Sequence, residues 1–516
     1  MSRYDPVPEL HGPRGVNQAR LKQEWIDTML ECGLITRILP SQVRGRVNMF
    51  AVPEISKQRM RPIRFTKDIN EFCGRDTLRP CVIATKAQIV PTVLAGKCMI
   101  LLDMKAMYDQ FPLSEAVGSR MCFRHGEAFY RLTVLPMGQR QAVGVANAAM
   151  QRLLDFEKRS NVQHSIIDNV GFFGDTAEDV IHDARIFIAR CAAVGATLNE
   201  IEDASAATYE QVAALVKSVG TFGGVSMDLL AQTVKITQNS VEKTSASWAN
   251  RGNWTWREYA GHVGLLFWAW RILDIPMASF FEVLRFNSDL GKWVTSRQLP
   301  PSSDGVYPKN EAWDEPATLW SSVWPVLERW TSLVVANTAR VVLPEERPHV
   351  ILMVDASRWG WGYLSFDTRS GEVHFHGEAW DEFMERRFGD RLGHSTFAEP
   401  RGYLNALKHR ARITPEARVF AMVTDSMVTM YSNDRGFNTA SFHINECIRQ
   451  KELYFPPSIY QITNHYVEGP SNQADGLSRG LTNIASEQQR ESIRQYADDM
   501  LRRYGGVRRG RTDTED

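Results

Sequence analysis

Met99-Ile-Leu-Leu-Asp103-Met-Lys-Ala-Met-Tyr108-Asp-Gln-Phe-Pro-Leu113 and Ser165-Ile-Ile-Asp168-Asn169-Val-Gly-Phe-Phe173 each lead an apolar run into an aspartate. Short apolar runs bounded by polar residues read as buried strands, so Cys98–Leu102 is expected to be a strand that delivers Asp103. Adjacent strands that end in carboxylates can hold two hard cations about 3.5–4 Å apart. Oxygen donors suit magnesium, and manganese can substitute for it. Two strand-end aspartates alone carry little weight, because many such residues are turns or caps. Their surroundings decide the reading.

Working outward, Val16 to Leu39 is an amphipathic stretch expected to form a helix. Asn147–Lys158 reads as a second helix, with Met150, Leu153, Leu154 and Phe156 at its apolar positions. Gly220-Thr-Phe-Gly-Gly224 is not a phosphate loop, since no Gly-Lys-Ser/Thr follows it. Residues 240–295 carry Trp254, Trp256, Phe267, Trp268 and Trp270 at helical spacing. Such stripes usually face a core, so a packed helical subdomain is preferred to a base-stacking platform. Residues 296–312 combine Pro, Ser, Gly and Asp and read as a linker.

Beyond that linker the pattern changes. His349–Asp355 is an apolar strand ending in Asp. Gly360–Phe366 and Val373–His376 alternate as two more strands, with Gly371-Glu372 at the turn. A helix is expected from Phe397 to Arg410, with Glu399 in its first turn, where Pro400 is tolerated. Val419–Thr424 is a fourth strand leading into Asp425, and Tyr460–Val467 a fifth. The order is three strands, helix, strand, helical region, strand, helix. Asp355 and Asp425 thus stand at strand ends and Glu399 at a helix start, and carboxylates offer oxygen donors suited to a hard metal ion. One such acid would be incidental. His374, His376 and His465 are assigned no metal role. Asp498 to Asp516, with five arginines, reads as a solvated, partly disordered tail.

The length of 516 residues suggests about three domains. Apolar residues make up 43 % and charged residues 23 %, the balance of an ordinary soluble globular protein. The formal net charge is zero, which neither supports nor excludes a nucleic-acid partner. Seven cysteines occur with no Cys-x-x-Cys pair, against a disulfide framework or a structural zinc site. No apolar run approaches the roughly 20 residues of a membrane span, and none follows Arg3 as in a secretory signal. The expected location is intracellular, cytoplasmic and/or nuclear.

In order, these segments resemble the motifs of reverse transcriptases. The run Asp103 to Leu113 is similar to their first catalytic motif, an Asp followed five residues later by an aromatic and then a Gln/His-x-Pro-Leu ending. Phe129-Tyr-Arg-Leu-Thr-Val-Leu-Pro136-Met-Gly138-Gln-Arg140-Gln-Ala resembles the Leu-Pro-x-Gly loop, and Ile166-Ile-Asp168-Asn169 stands where the Tyr-x-Asp-Asp turn belongs. Upstream, Lys57-Gln-Arg59-Met-Arg61-Pro-Ile-Arg64-Phe-Thr-Lys-Asp-Ile-Asn70 is similar to the basic fingers strand. Downstream, Thr221-Phe-Gly-Gly-Val-Ser-Met-Asp228 looks like the primer-gripping hairpin. This resemblance covers roughly residues 46–295. Met353-Val-Asp355-Ala-Ser-Arg-Trp-Gly-Trp-Gly362-Tyr-Leu resembles the opening hairpin of retroelement ribonuclease H, and Asn472-Gln-Ala-Asp475-Gly-Leu-Ser-Arg479 its close. The Asp-Asn turn, and a hairpin followed by an aromatic helical region, resemble the tyrosine-recombinase retroelements, the DIRS-like and VIPER group.

The resemblance implies an α/β (α+β) chain: a right-hand polymerase of fingers, palm and thumb, followed by a ribonuclease H-like mixed five-stranded sheet with helices. The implied organisation is an N-terminal extension (1–45), fingers and palm (46–240), helical thumb or connection with linker (241–345), ribonuclease H-like domain (346–482) and a helical or disordered polar tail (483–516). It implies an RNA-directed DNA polymerase with ribonuclease H activity, taking an RNA template, a DNA primer, RNA–DNA hybrid and deoxynucleoside triphosphates, with two Mg2+ at each site. Asp103 and Asp168 would be metal ligands at the first site, and Asp355, Glu399, Asp425 and Asp475 at the second. Tyr108 would exclude ribonucleotides, while Arg61, Gln139 and Asn169 would contact nucleotide. The departures are Asn169 for the second Asp of the turn, Ile166 for its Tyr, and Val143 for a Pro. They support an alternative, a decayed or domesticated nucleic-acid-binding protein that keeps the fold without polymerising. With no protease or integrase pattern, the chain would be the polymerase part of an element.

Overall fold

Residues 21–54, 59–66, 69–70, 83–300, 310–479 and 485–509 are described by the computed structural model. The leader before residue 21, Lys57, Cys73, Cys81, residues 301–309 of the expected linker and Arg511 of the tail lie outside the described residues. The chain divides into two compact units, Met1–Val234 and Lys235–Asp516.

In the first unit the helix expected over Val16–Leu39 is shorter. It is α1 (Gln23–Glu31), and the chain then turns into strand β1 (Ile35–Ile38). The turn falls at Gly33, whose φ of +68° suits glycine at a helix C-terminus. β2 (Asn48–Glu54) and β3 (Arg59–Phe65) form an antiparallel hairpin. Next come β4 (Cys98–Asp103), β5 (Cys122–His125) and β6 (Ala128–Leu132), and β6 pairs with both β1 and β5. Helix α2 (Ala142–Leu153) starts five residues before the expected Asn147. β7 (Val162–Ile166) and β8 (Asn169–Gly174) follow, and the sheet order is β4-β8-β7. Helix α3 (Ala177–Ala193) is capped by Thr176, which accepts from the Asp179 N–H. It lays Val180, Ala184, Phe187 and Ile188 on Ile100, Leu102, Val170 and Phe172 of the sheet. Each large side chain so buried contributes about 1.5–3 kcal/mol. β9 (Val219–Phe222) and β10 (Val225–Asp228) form a hairpin turning at Gly223 and Gly224, and β11 (Thr233–Ile236) leads out of the unit.

The second unit begins with a helical layer: α4 (Gln238–Ala249), α5 (Trp256–Leu273), α6 (Phe281–Ser296) and α7 (Val323–Ala336). Its aromatics make the core. Trp254 stacks on Trp324 with centroids 6.2 Å apart, and Phe280 on Trp330 at 5.2 Å. The chain returns after the expected linker to join the same layer: His262 of α5 bonds Thr331 of α7 at 2.9 Å and Ser247 of α4 at 3.2 Å.

After the short strand β12 (Arg340–Val341) come β13 (Val350–Ala356), β14 (Gly360–Asp367), β15 (Val373–Ala379), β16 (Val419–Thr424) and β17 (Gln461–Tyr466). Their order is β15-β14-β13-β16-β17; the β13–β14–β15 pairs are antiparallel and the β13–β16–β17 pairs parallel. This is a mixed five-stranded sheet. Alternate residues of β13 serve opposite faces. Val350, Leu352 and Val354 meet Tyr403, Ala406 and Leu407, whereas Ile351 and Met353 meet Leu477, Ile493, Ala497 and Met500. The last three belong to the helix Glu487–Arg509 (α13), so of the two states expected for the polar tail, helical or disordered, its described part takes the helical one. Between β15 and the helix carrying Glu399 lies α8 (Glu382–Leu392), which the sequence reading did not anticipate. α9 (Ser395–Ile413) starts before the expected Phe397, which makes Glu399 its fifth residue and sets Pro400 inside the helix. α10 (Met427–Arg435) and α11 (Phe442–Tyr454) follow, and α12 (Asp475–Ser478) packs with α13 on the face of the sheet opposite α9.

Candidate functional site

The parallel register of β13 and β16 pairs Met353 with Val423. Two residues further along each strand, Asp355 and Asp425 leave the sheet at the same edge. Glu399 arrives from α9, and a small residue lets that helix come close. A Cβ on Gly402 would lie 2.6 Å from the Ala356 Cβ and 3.3 Å from the Trp361 Cβ. Glu399, one turn earlier on the same face, accepts from the Ala356 N–H at 3.4 Å. Ligand oxygens of Asp355, Glu399 and Asp425 all lie within 4.8 Å of one another.

Asp355 and Glu399 are each only 6 % exposed. Burial, and then the neighbouring carboxylates Asp355 and Asp425, push the Glu399 carboxyl up to about 9. Burial likewise raises Asp355 to about 6, opposed by a hydrogen bond from Ser478 and assisted by Asp425 and Asp475. Asp475 stands beside this group but outside the three. Its carboxylate oxygens accept from Arg479 Nη2 at 3.0 Å each. α12 is seated where Gly362 and Gly377 leave room, since a Cβ on either would come within 2.6 Å of the Leu477 backbone. Ser357 Oγ donates to the Ser478 carbonyl at 2.9 Å, and Asn472 Nδ2 to the Val354 carbonyl at 3.0 Å.

The donor set fits a hard divalent cation. It is all carboxylate oxygen, two of its three acids are buried and Asp425 is half-buried, and its mutual repulsion is what a bound cation would remove. Asp355, Glu399 and Asp425 could therefore hold a metal ion.

In the first unit, β4 and β8 set Asp103 opposite Asn169, and the Met104 N–H donates to the Asp168 carbonyl at 2.8 Å. Asp103, Asp168 and Asn169 thus share one strand end. The β7–β8 turn holds Ile167 at φ +55°, a left-handed conformation that strains a β-branched residue. Asn169 Nδ2 donates to Asp168 Oδ1 at 3.1 Å. Two neighbours were not singled out in the sequence. Asn199 Nδ2 donates to Asp103 Oδ2, and Glu200 Oε2 accepts from the Asp103 N–H at 2.9 Å. They follow α3 in a loop with no periodic signal. Among the described residues this strand end does not form a group of three converging acids.

Tyr108 is 8 % exposed and belongs to the core beneath the site. Gln139 is buried and accepts from the Gln141 N–H at 2.9 Å. Arg61 reaches the Met137 sulfur at 3.5 Å. Asn70, past the end of β3, is tied to the loop between β6 and α2, donating to the Gly138 carbonyl at 2.8 Å and accepting from the Arg140 N–H at 2.7 Å. Among the described residues, no helix is long and apolar enough to cross a membrane.

The sequence matches no known family and no curated protein. By fold the chain is a mixed α/β protein whose C-terminal mixed sheet is consistent with a ribonuclease H-like fold. Over most of its length it is similar in structure to the foamy viral protease–reverse transcriptase. A dRH form of that protein in complex with double-stranded DNA is 13 % identical with a TM-score of 0.46, over 86 % of this chain and 69 % of that one. Another complex with double-stranded DNA is 13 % identical, TM-score 0.44, over 87 % and 82 %. A complex with RNA/DNA hybrid is 14 % identical, TM-score 0.44, over 87 % of this chain and 53 % of that one.

Proposed function

We propose that the chain is an RNA-directed DNA polymerase joined to a ribonuclease H. The observation that carries the nuclease half is the buried convergence of Asp355, Glu399 and Asp425 at one edge of a mixed sheet. The polymerase half rests on Asp103 opposite Asn169 with Asp168 beside it, within the motif contexts of the sequence. Magnesium, two ions at each site, would stabilise the charge that develops on the phosphate under attack. The residues' own part is to hold in place the acids that would bind those ions. Asp475 completes the second donor set on release from Arg479. Tyr108 screens the sugar, and Arg61 and Gln139 meet nucleotide and template. The substrates are an RNA template, a DNA primer, deoxynucleoside triphosphates and RNA–DNA hybrid. Residues 46–240 act as fingers and palm, 241–345 as thumb or connection, and the nuclease domain begins near 346. The finer placement in the DIRS-like and VIPER group rests on the Asp-Asn turn and the aromatic helices.

A second reading is a protein that grips nucleic acid without polymerising. It is favoured by the first site's two acids, one of them bonded by Asn199 and the other by Asn169. A paired assay decides. Asp103→Asn is expected to abolish primer extension and spare hybrid cleavage, and Asp355→Asn to do the reverse. Loss of both activities in either well-folded variant refutes two separate sites. Binding of hybrid with no extension by the wild type selects the second reading.

A further inference from the structure

Four residues beyond Asp355, the β13–β14 turn presents Trp359 to solvent with 61 % of its surface exposed. The turn is tightly bonded. The Ser357 N–H donates to the Gly360 carbonyl at 2.9 Å, and the Trp359 N–H to Ser357 Oγ at 3.1 Å. From outside, the Trp380 N–H donates to the Trp359 carbonyl at 3.1 Å, and Trp380 Nε1 to the Ser357 carbonyl at 2.9 Å. Ser357 Oγ is itself tied to the carbonyl of Ser478, the last residue of α12. Asp355 pairs with Gly362 in this hairpin. At a strand rise of about 3.3 Å per residue, the Trp359 backbone is within about 13 Å of that of Asp355.

The Arg358 guanidinium lies 5.6 Å from the Trp359 ring centroid. The same pairing recurs on α8, which starts just after Trp380. Phe383 is 61 % exposed with the Arg387 guanidinium 5.6 Å from its ring centroid. Phe383, Arg387 and Arg391 follow at intervals of four, so they line one helix face, while Met384 and Leu392 are buried in the core. Aromatic faces left in water beside arginines suit a ligand that has both flat rings and anionic groups. Nucleic acid is such a ligand, since its bases stack on aromatics and its phosphates pair with guanidinium groups. Bases inside a duplex already stack on one another, so this platform can take only an unpaired one.

We propose that Trp359, backed by Arg358 and continued by the Phe383–Arg387–Arg391 face, is a specificity-determining contact that stacks on an unpaired base flanking the hybrid and so directs cleavage to hybrids bearing a single-stranded overhang. The proposal rests on the nuclease reading of Asp355, Glu399 and Asp425. The full chain is assayed on a blunt RNA–DNA hybrid and on hybrids with an overhang of either strand carrying 2-aminopurine. The wild type is expected to show a KM about tenfold lower on an overhanging hybrid, with 2-aminopurine fluorescence quenched on binding. Trp359→Ala is expected to remove both the preference and the quenching while kcat on the blunt hybrid stays within about twofold, and Trp359→Phe to restore most of the preference. Equal KM values in the wild type, or a preference that survives Trp359→Ala, overturn the proposal. If the wild type cleaves neither substrate, the nuclease reading fails separately. In that case quenching that depends on Trp359 supports the contact, and its absence overturns it.

Discussion

Asn169 is where the first site departs most from an all-carboxylate set. Its amide donates to Asp168, so it orients that carboxylate while adding no charge of its own. Asn169→Asp replaces a donor with a third negative group opposite Asp103. Repulsion then grows without metal, and the affinity for a divalent ion rises with ligand charge. The expected outcome is primer extension preserved or raised at low magnesium, with the half-saturating concentration falling about threefold or more. A magnesium titration of extension checks this. A large loss of activity at all concentrations would assign the amide a specific positioning role. At the second site burial first, and then that repulsion, make the carboxyls of Glu399 and Asp355 hold their protons to higher pH than usual.

Among elements, the approach of α9 to β13 is a close one. Gly402 faces Ala356 with no room for a side chain. Gly402→Val is expected to push α9 outward, weaken the core by about 2 kcal/mol or more, and cut hybrid cleavage at least tenfold because Glu399 rides on the same helix. Primer extension in the same preparation is expected to persist, and urea denaturation gives the stability change. Full nuclease activity in that variant would separate Glu399 from the site. The helical layer has its own marker. His262 is fully buried between Ser247 and Thr331, and burial lowers its pKa to about 4. A folded pKa below the unfolded value of about 6.5 means that the unfolded state binds the proton more readily. This contribution is therefore intact above about pH 6.5 and is lost as pH falls through about 4, reaching roughly 2 kcal/mol at pH 5. His262→Gln is expected to flatten the dependence of stability between pH 7 and pH 5. Parallel wild-type and variant curves would show that His262 does not titrate this way.

For the whole molecule, domain limits follow from which faces are covered. A fragment of residues 346–482 would lack α13 and bare Ile351 and Met353, which Ile493, Ala497 and Met500 cover. Three buried apolar side chains contribute about 4–8 kcal/mol together, much of a domain's total of about 5–15 kcal/mol. Residues 346–509 are expected to melt cooperatively, at least about 10 °C above 346–482. Magnesium is expected to raise that melting temperature through binding to the folded state, and Asp355→Asn to weaken the effect. Calorimetry of both fragments with and without magnesium tests this. Equal stability would make α13 dispensable.

Local pattern determined much of this protein. Apolar runs ending in Asp103, Asp355 and Thr424 are strands because their periodicity and boundaries are local properties, and the acids they deliver were legible from the same runs. The preference for a core over a stacking surface at Trp254 and Trp256 followed from helical spacing, and both are buried. Tertiary structure alone decided the rest. Val16–Leu39 keeps a helix only up to Glu31, because β6 offers Ile35–Ile38 a partner distant in sequence. Of the two states open to the polar tail, helix or disorder, the helix α13 forms because it covers the sheet's second face, and three residues in 23 suffice for that. The grip of Asn199 on Asp103, separated by 96 residues, and the seating of α12 on Gly362 depend on close approaches between distant segments. No local window of sequence carries such contacts, since they exist only once hydrophobic burial has brought those segments together.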